Sequence, residues 1–158
     1  MNGRSLETLD LVQALAVVLV ALALVPAGAH LFELPGKMTL ATDQYMAAQR
    51  IYTGWALFGI VILGALSAVA GHTYLVRTER KASRLSLAAL LCLAATQAIF
   101  WTWTYPMNVA TANWTVTPEH FEAARAQWEY SHAVNAVLTF AALVLIVAAV
   151  IASRPAPR

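Results

Sequence analysis

Two short polar strips interrupt an otherwise apolar chain with side chains that do chemistry. The first is His30-Leu31-Phe32-Glu33. The second, Arg125-Ala126-Gln127-Trp128-Glu129-Tyr130-Ser131-His132, runs straight into the apolar segment 133–152. At 3.6 residues per turn, Arg125, Glu129 and His132 fall within an arc of about 60°, with Trp128 at its edge. Each strip therefore projects a histidine and a carboxylate, three residues apart, from one helix face. Such a pair can hold a metal ion, exchange a proton with a substrate, or serve only to satisfy polar neighbours. The outcome turns on whether the two strips meet.

The metal reading takes His30, Glu33, Glu129 and His132 as two nitrogen and two oxygen ligands. Glu129-Tyr130-Ser131-His132 has the Glu-x-x-His form used in carboxylate-bridged di-iron bundles. That pattern needs two further glutamates from the other helices, and the middle apolar segments carry none at this level. A single zinc, iron, manganese or copper ion is the form left, and the ligand types do not choose among them. The cofactor is thus one transition-metal ion or none. The structural reading is a polar lock. His30 sits in an apolar helix and needs a partner; Arg50 or Arg125 bridged to Glu33 or Glu129, or hydrogen bonds to Asn108, would supply one. Asp43, Glu119, His120 and Glu122 lie further out and read as a solvated face.

Composition sets the environment of these residues. The chain has 158 residues, 60% hydrophobic and 11% charged, against the ~25% charged of a soluble domain. Four apolar stretches are long enough to cross a bilayer. The net charge of +2 is too small to argue for nucleic acid, and no phosphate-cradling glycine motif is present. Cys92, the single cysteine, lies in an apolar run and reads as a buried, inert thiol.

The expected helices cover 11–34, 44–76, 85–105 and 118–152, in one domain spanning 1–158. Pro35-Gly36 is read as the stop of the first helix and Pro106 as the stop of the third. Ala27-Gly28-Ala29 has the form of a signal-peptide cleavage site, but the leader is not basic and 11–25 is long for a signal core, so the helix is kept. Thr117 is read as the N-cap of the last helix, with Pro118 in its first position. Those 35 residues would reach ~52 Å, so the first turns must stand outside a ~30 Å hydrocarbon core. Basic residues divide seven to three: Arg4, Arg77, Arg80, Lys81, Arg84, Arg154 and Arg158 against Lys37, Arg50 and Arg125. This bias places both termini in the cytoplasm. The fold expected is an all-α, transmembrane, up-down-up-down four-helix bundle, in the inner membrane of a bacterium.

In that topology His30, Tyr52, Tyr105 and His132 reach the outer boundary of the hydrocarbon. Glu33, Arg50, Asn108, Arg125 and Glu129 share the level, as do Trp55, Trp101, Trp103, Trp114 and Trp128. An aromatic belt normally occupies both interfaces, and the inner one has Tyr74 but no tryptophan. The alternatives are an outward-facing aromatic pocket or a one-sided belt. Gln97, Trp101, Thr104 and Asn108 form a further stripe on the third helix, where Gln97 could equally bond a neighbouring helix.

These residues, in this order, resemble a family of small four-helix membrane proteins that includes the anthrone oxygenases. The matching features are Ala27-Gly28-Ala29-His30, Arg50-Ile51-Tyr52-Thr53-Gly54-Trp55, Asn108, Asn113-Trp114-Thr115, and the Arg125, Trp128 and His132 of the last helix. Glu33 and Glu129 lie outside that pattern. The resemblance implies oxidation of an activated aromatic or quinol-type carbon by dioxygen, without an organic cofactor. In that chemistry His132 is the expected base, with Glu129 orienting its imidazole and Arg125 or Arg50 holding the enolate-like oxygen. His30 would close the pocket, while Tyr52, Trp55, Trp101, Asn108, Trp114 and Trp128 would line it. The partners expected are the lipid bilayer and an apolar aromatic or quinone-like molecule. The other readings are a metal-binding membrane protein and a non-enzymatic bundle that binds a quinone, lipid or partner.

Overall fold

The computed structural model describes residues 3–154, and among them no strand occurs. Six α-helices form: α1 (Gly3–Lys37), α2 (Thr42–Ala48), α3 (Phe58–Leu75), α4 (Arg80–Ile99), α5 (Tyr105–Ala110) and α6 (Phe121–Ala152). Four helical stretches, Glu7–Lys37, Trp55–Leu75, Arg80–Ala110 and Phe121–Ala152, are long and apolar enough to span a membrane. The shortest has 21 residues, which at 1.5 Å each matches a ~30 Å hydrocarbon core.

The bundle is apolar outside. Leu11, Val18, Ile60, Leu63, Leu91 and Phe140 are exposed, and water would not tolerate so continuous a surface. Its interior is built of small residues. Ala16, Ala65, Ala89, Ala142 and Ala149 are fully buried with Val20, Val69, Leu93 and Ile146, which brings the backbones close enough for dispersion contacts to hold helices together in lipid. The chain is an integral membrane four-helix bundle. Helix α1 packs on α3 and α6, and α4 on the same two. Gln13 donates to Ser153 Oγ at 2.8 Å, while His30 lies against His132, so α1 and α6 run antiparallel.

Several boundaries differ from the expected ones. Helix α1 passes through Pro26 and Pro35 and ends at Lys37 rather than stopping at Pro35-Gly36. A proline removes one backbone donor and raises a clash, yet α1 is held on both sides by α3 and α6. The expected 44–76 helix is broken. Helix α2 is followed by 3₁₀ turns at Gln49–Tyr52 and Trp55–Leu57, and Gly54 between them takes φ 88°, open to glycine at little cost. This short segment folds across the bundle end.

Helix α4 starts at Arg80 rather than 85, so Arg80, Lys81 and Arg84 belong to its first turns while Arg77 precedes it. Pro106 does not end the third span. A π-helical turn at Phe100–Thr104 leads into α5, and the Tyr105 N–H reaches the Phe100 carbonyl. The wider turn accommodates a proline that has no N–H to give. Ala112, Asn113 and Trp114 then all adopt positive φ, an unfavourable run for non-glycine residues. The Asn113 N–H bonds the Asn108 carbonyl at 2.7 Å, and the reversal buries Trp114. Thr117 and Pro118 lie outside α6, whose N-cap is His120 with no side-chain capping bond.

Candidate functional site

At the bundle end opposite the termini, α1 presents His30, Glu33 and Lys37, spaced three and four residues apart on one face. Helix α6 presents Trp128, Glu129 and His132 to it. The His30 and His132 rings stack with centroids 4.1 Å apart. Aromatic rings surround the pair. Tyr52, Trp128 and Trp55 have their centroids 4.5, 5.0 and 5.5 Å from that of His30, and Trp128 lies 4.2 Å from His132. The Trp128 indole N–H donates to Asn108 Oδ1 at 2.7 Å, which ties α5 to α6. Trp114 packs edge-on against both Tyr45 and Trp128.

A polar network adjoins the imidazoles. The buried Lys37 ammonium lies 2.5 Å from Glu129 Oε1, and Glu129 itself is fully buried. Lys37 also donates to the Tyr52 hydroxyl at 3.2 Å and to Gln49 Oε1 at 3.4 Å. The Tyr45 hydroxyl donates to Glu129 Oε1 at 2.8 Å and accepts from Gln49 Nε2 at 2.6 Å. The Tyr52 hydroxyl donates to Glu33 Oε2. Burial, then the adjoining Glu129 carboxylate, pushes the Tyr45 phenol up from its ordinary value. Burial and the hydrogen bond to Glu33 do the same for Tyr52. Both phenols are therefore held as neutral donors. Lys37 is also ringed by aromatic faces, with Nζ 4.6 Å from the Tyr52 centroid and 4.7 Å from that of Trp128.

The two His/Glu pairs meet, but not as four ligands of one ion. Glu33 bonds Tyr52 and Glu129 bonds Lys37 and Tyr45, so each carboxylate is drawn away from the imidazoles. Among the described residues no group of three or more metal-ligating side chains is placed to hold a metal ion. The expected contact in which Glu129 orients the His132 imidazole is absent for the same reason. Among the described residues neither imidazole has a hydrogen-bond partner, and His30 Nδ1 and Glu129 Oε2 are buried without one.

The expected cations are elsewhere. Arg50 is exposed, because the 3₁₀ turn that brings Gln49 and Tyr52 inward points it away. Arg125 is buried, but it donates to the Leu40 carbonyl at 2.9 Å and pairs with Glu122, so it pins the α1–α2 connection onto α6. Trp101 is 60% exposed on the outer surface and does not line the site. Nor is there an open aromatic pocket at the histidines: the rings pack directly on them. A cleft of about 450 Å³ lies on another face, between Ile99, Trp103, Tyr130 and Val134.

Lys37, Tyr45 and Gln49 are the site residues that spacing arguments missed. The signal for Lys37 was its place four residues after Glu33 and seven after His30, concealed by reading Pro35-Gly36 as a stop. Tyr45 and Gln49 lie one helical turn apart within the expected 44–76 helix, but the break after α2 that folds them over the bundle end leaves no mark in the spacing.

No protein-family model, no curated protein and no solved structure matches the chain.

Proposed function

We propose that the stacked His30–His132 pair is the base of an oxidation site for an apolar, weakly acidic aromatic or quinol-type molecule, which dioxygen oxidises as in the anthrone oxygenases that the sequence resembles. The observation that carries this reading is two imidazoles in face contact, walled by Tyr52, Trp55 and Trp128, with no hydrogen-bond partner among the described residues. Each unpaired imidazole keeps a ring-nitrogen lone pair that no protein group uses, and the proton of an acidic substrate would pass to that lone pair. Two positive charges about 4 Å apart repel by ~4 kcal/mol at an effective dielectric of 20, so the pair holds one proton at a time. For an anthrone the balance is simple. The methylene gives one proton to the pair, the resulting anion is oxidised by dioxygen, and loss of water leaves the ketone: one dioxygen in, one ketone and one water out. On this reading an apolar substrate enters from the bilayer, and the rings that pack on the histidines part to admit it. The basic-residue bias supports an up-down-up-down bundle with both termini cytoplasmic and this site at the outer face of a bacterial inner membrane.

A second reading has its own observation. The buried Lys37–Glu129 ion pair and the closed Tyr45–Gln49–Tyr52 network suit a lock that fastens α1, the 42–57 segment and α6. Turnover of an anthrone and of a hydroquinone by detergent-purified protein separates the two. Under the oxidation reading His132→Ala and His30→Ala abolish product while the bundle stays folded, and His120→Ala, exposed at the N-cap of α6, changes little. Oxidation undiminished in His132→Ala removes the base assignment, and no oxidation by the unaltered protein leaves the lock.

A further inference from the structure

We infer that Arg80 and Arg84, with Leu87 and Leu91 beneath them, form a docking site for one anionic phospholipid, at the end of the bundle away from the histidines. Gly71 of α3 lies beside Val12 in the early turns of α1, whereas His30 belongs to the late turns of that helix. The turn from α3 into α4 therefore stands at the termini's end. The inference is independent of the oxidation reading.

The first ground is a stripe. Arg80, Arg84, Leu87 and Leu91 follow one another at spacings of four, three and four, within an arc of about 60° on α4. All of them are exposed. From Arg80 to Leu91 the helix rises ~16 Å, the depth of one leaflet of a ~30 Å hydrocarbon core. Cations above leucines along one line match an anionic headgroup above its acyl chain. A free phosphate would use only the upper half of the stripe.

The second ground is depth. The α3 span ends at Leu75 and the α4 span starts at Arg80, so the cations stand at headgroup level. Tyr74, an exposed ring at the end of α3, suits that interface. The Arg77 guanidinium lies 4.1 Å from the Tyr74 centroid and donates to the Tyr74 carbonyl at 2.8 Å, which ties Arg77 to the turn and leaves Arg80 and Arg84 as the reaching cations.

The third ground is that the fold leaves these charges uncompensated. Among the described residues the ion pairs are Lys37–Glu129 and Arg125–Glu122, so no carboxylate is paired with Arg80 or Arg84. Exposed Glu79, beside Arg80 in sequence, makes no side-chain cap on α4, and the first turn of α4 has no acidic residue. Arg80 and Arg84, one turn apart, repel each other, and both oppose the positive end of the α4 dipole. That arrangement costs the helix stability. A phosphodiester between the two guanidinium groups offsets the cost through charge-assisted hydrogen bonds, and a net negative lipid adds the attraction that juxtamembrane cations exert.

Full-length protein in phosphatidylcholine nanodiscs, with a trace of chain-spin-labelled phosphatidylglycerol or phosphatidylcholine, tests this by electron spin resonance. The motionally restricted fraction of each label gives its relative affinity, whichever way the protein sits. The unaltered protein should prefer phosphatidylglycerol by about fivefold or more, the scale of one juxtamembrane cation. In Arg80→Gln/Arg84→Gln, two exposed positions whose change leaves the helices intact by circular dichroism, the preference should fall to about twofold or less. Lys81→Gln/Arg154→Gln removes the same charge from exposed positions off the stripe and should keep most of the preference. Millimolar inorganic phosphate, at constant ionic strength, should not displace the lipid. No preference in the unaltered protein, or an undiminished one in Arg80→Gln/Arg84→Gln, overturns the inference. Equal loss in the two double variants, which marks a diffuse field of charge, overturns it as well, and so does displacement by phosphate, which marks a site for the free anion.

Discussion

Removing the Lys37 charge should cost far more than removing the Lys37 and Glu129 charges together. The two groups lie 2.5 Å apart, with side chains 7% and 0% exposed. In Lys37→Met the carboxylate keeps a single donor, the Tyr45 hydroxyl at 2.8 Å, and its second oxygen has none. A buried charge that loses its partner destabilises by about 3–5 kcal/mol. Glu129→Gln leaves the ammonium stranded and should cost a similar amount. In the double variant no charge is left. The Gln oxygen still accepts from Tyr45, and the lost contacts to Gln49 and Tyr52 are long ones, at about 1 kcal/mol or less each. The double variant should therefore lie within about 2 kcal/mol of the unaltered protein and be more stable than either single one. Denaturant unfolding in detergent, read by tryptophan fluorescence because Trp114 and Trp128 border the network, measures all four corners of the cycle. Additive losses, or a Lys37→Met variant as stable as the unaltered protein, would refute the buried ion pair as a coupled unit.

Alkaline titration followed by tyrosinate absorbance should find Tyr45 and Tyr52 still protonated where a free phenol, near pH ~10, ionises. Their folded values are raised, so the stability they contribute is complete below about pH 10 and is lost as pH rises above it; ionisation of all five tyrosines at the free-phenol pH would contradict this. Cysteines placed at Met38 and Ala112, with Cys92 replaced, should react with an impermeant reagent on intact cells, and reaction only after permeabilisation would invert the proposed orientation.

The four spans were legible because lipid demands long apolar helices whatever their packing. That His30 meets His132 was legible too, since polar groups at one depth of an apolar bundle find each other. Side-chain direction was not. Spacing puts Glu129 beside His132, but the carboxylate turns to an ammonium instead, and an ion pair with a lysine seven residues beyond His30 outweighs a neutral imidazole three residues away. Backbone breaks were also obscure. Gly54 could sit in a helix or end one, and its φ of 88° follows from how the 42–57 segment folds over the bundle end. Pro106 reads as a stop until the π-helical turn before it absorbs the missing N–H. Arg125, placed on the right face by its spacing, is held by a carbonyl of the α1–α2 connection that no helical periodicity reveals.

The most direct measurement is dioxygen uptake by purified protein in lipid vesicles supplied with an anthrone, alongside the ketone formed. One dioxygen consumed per ketone, dependent on protein and lost in His132→Ala, is the result expected. Uptake no faster than in protein-free vesicles, across anthrone and hydroquinone substrates, would contradict it.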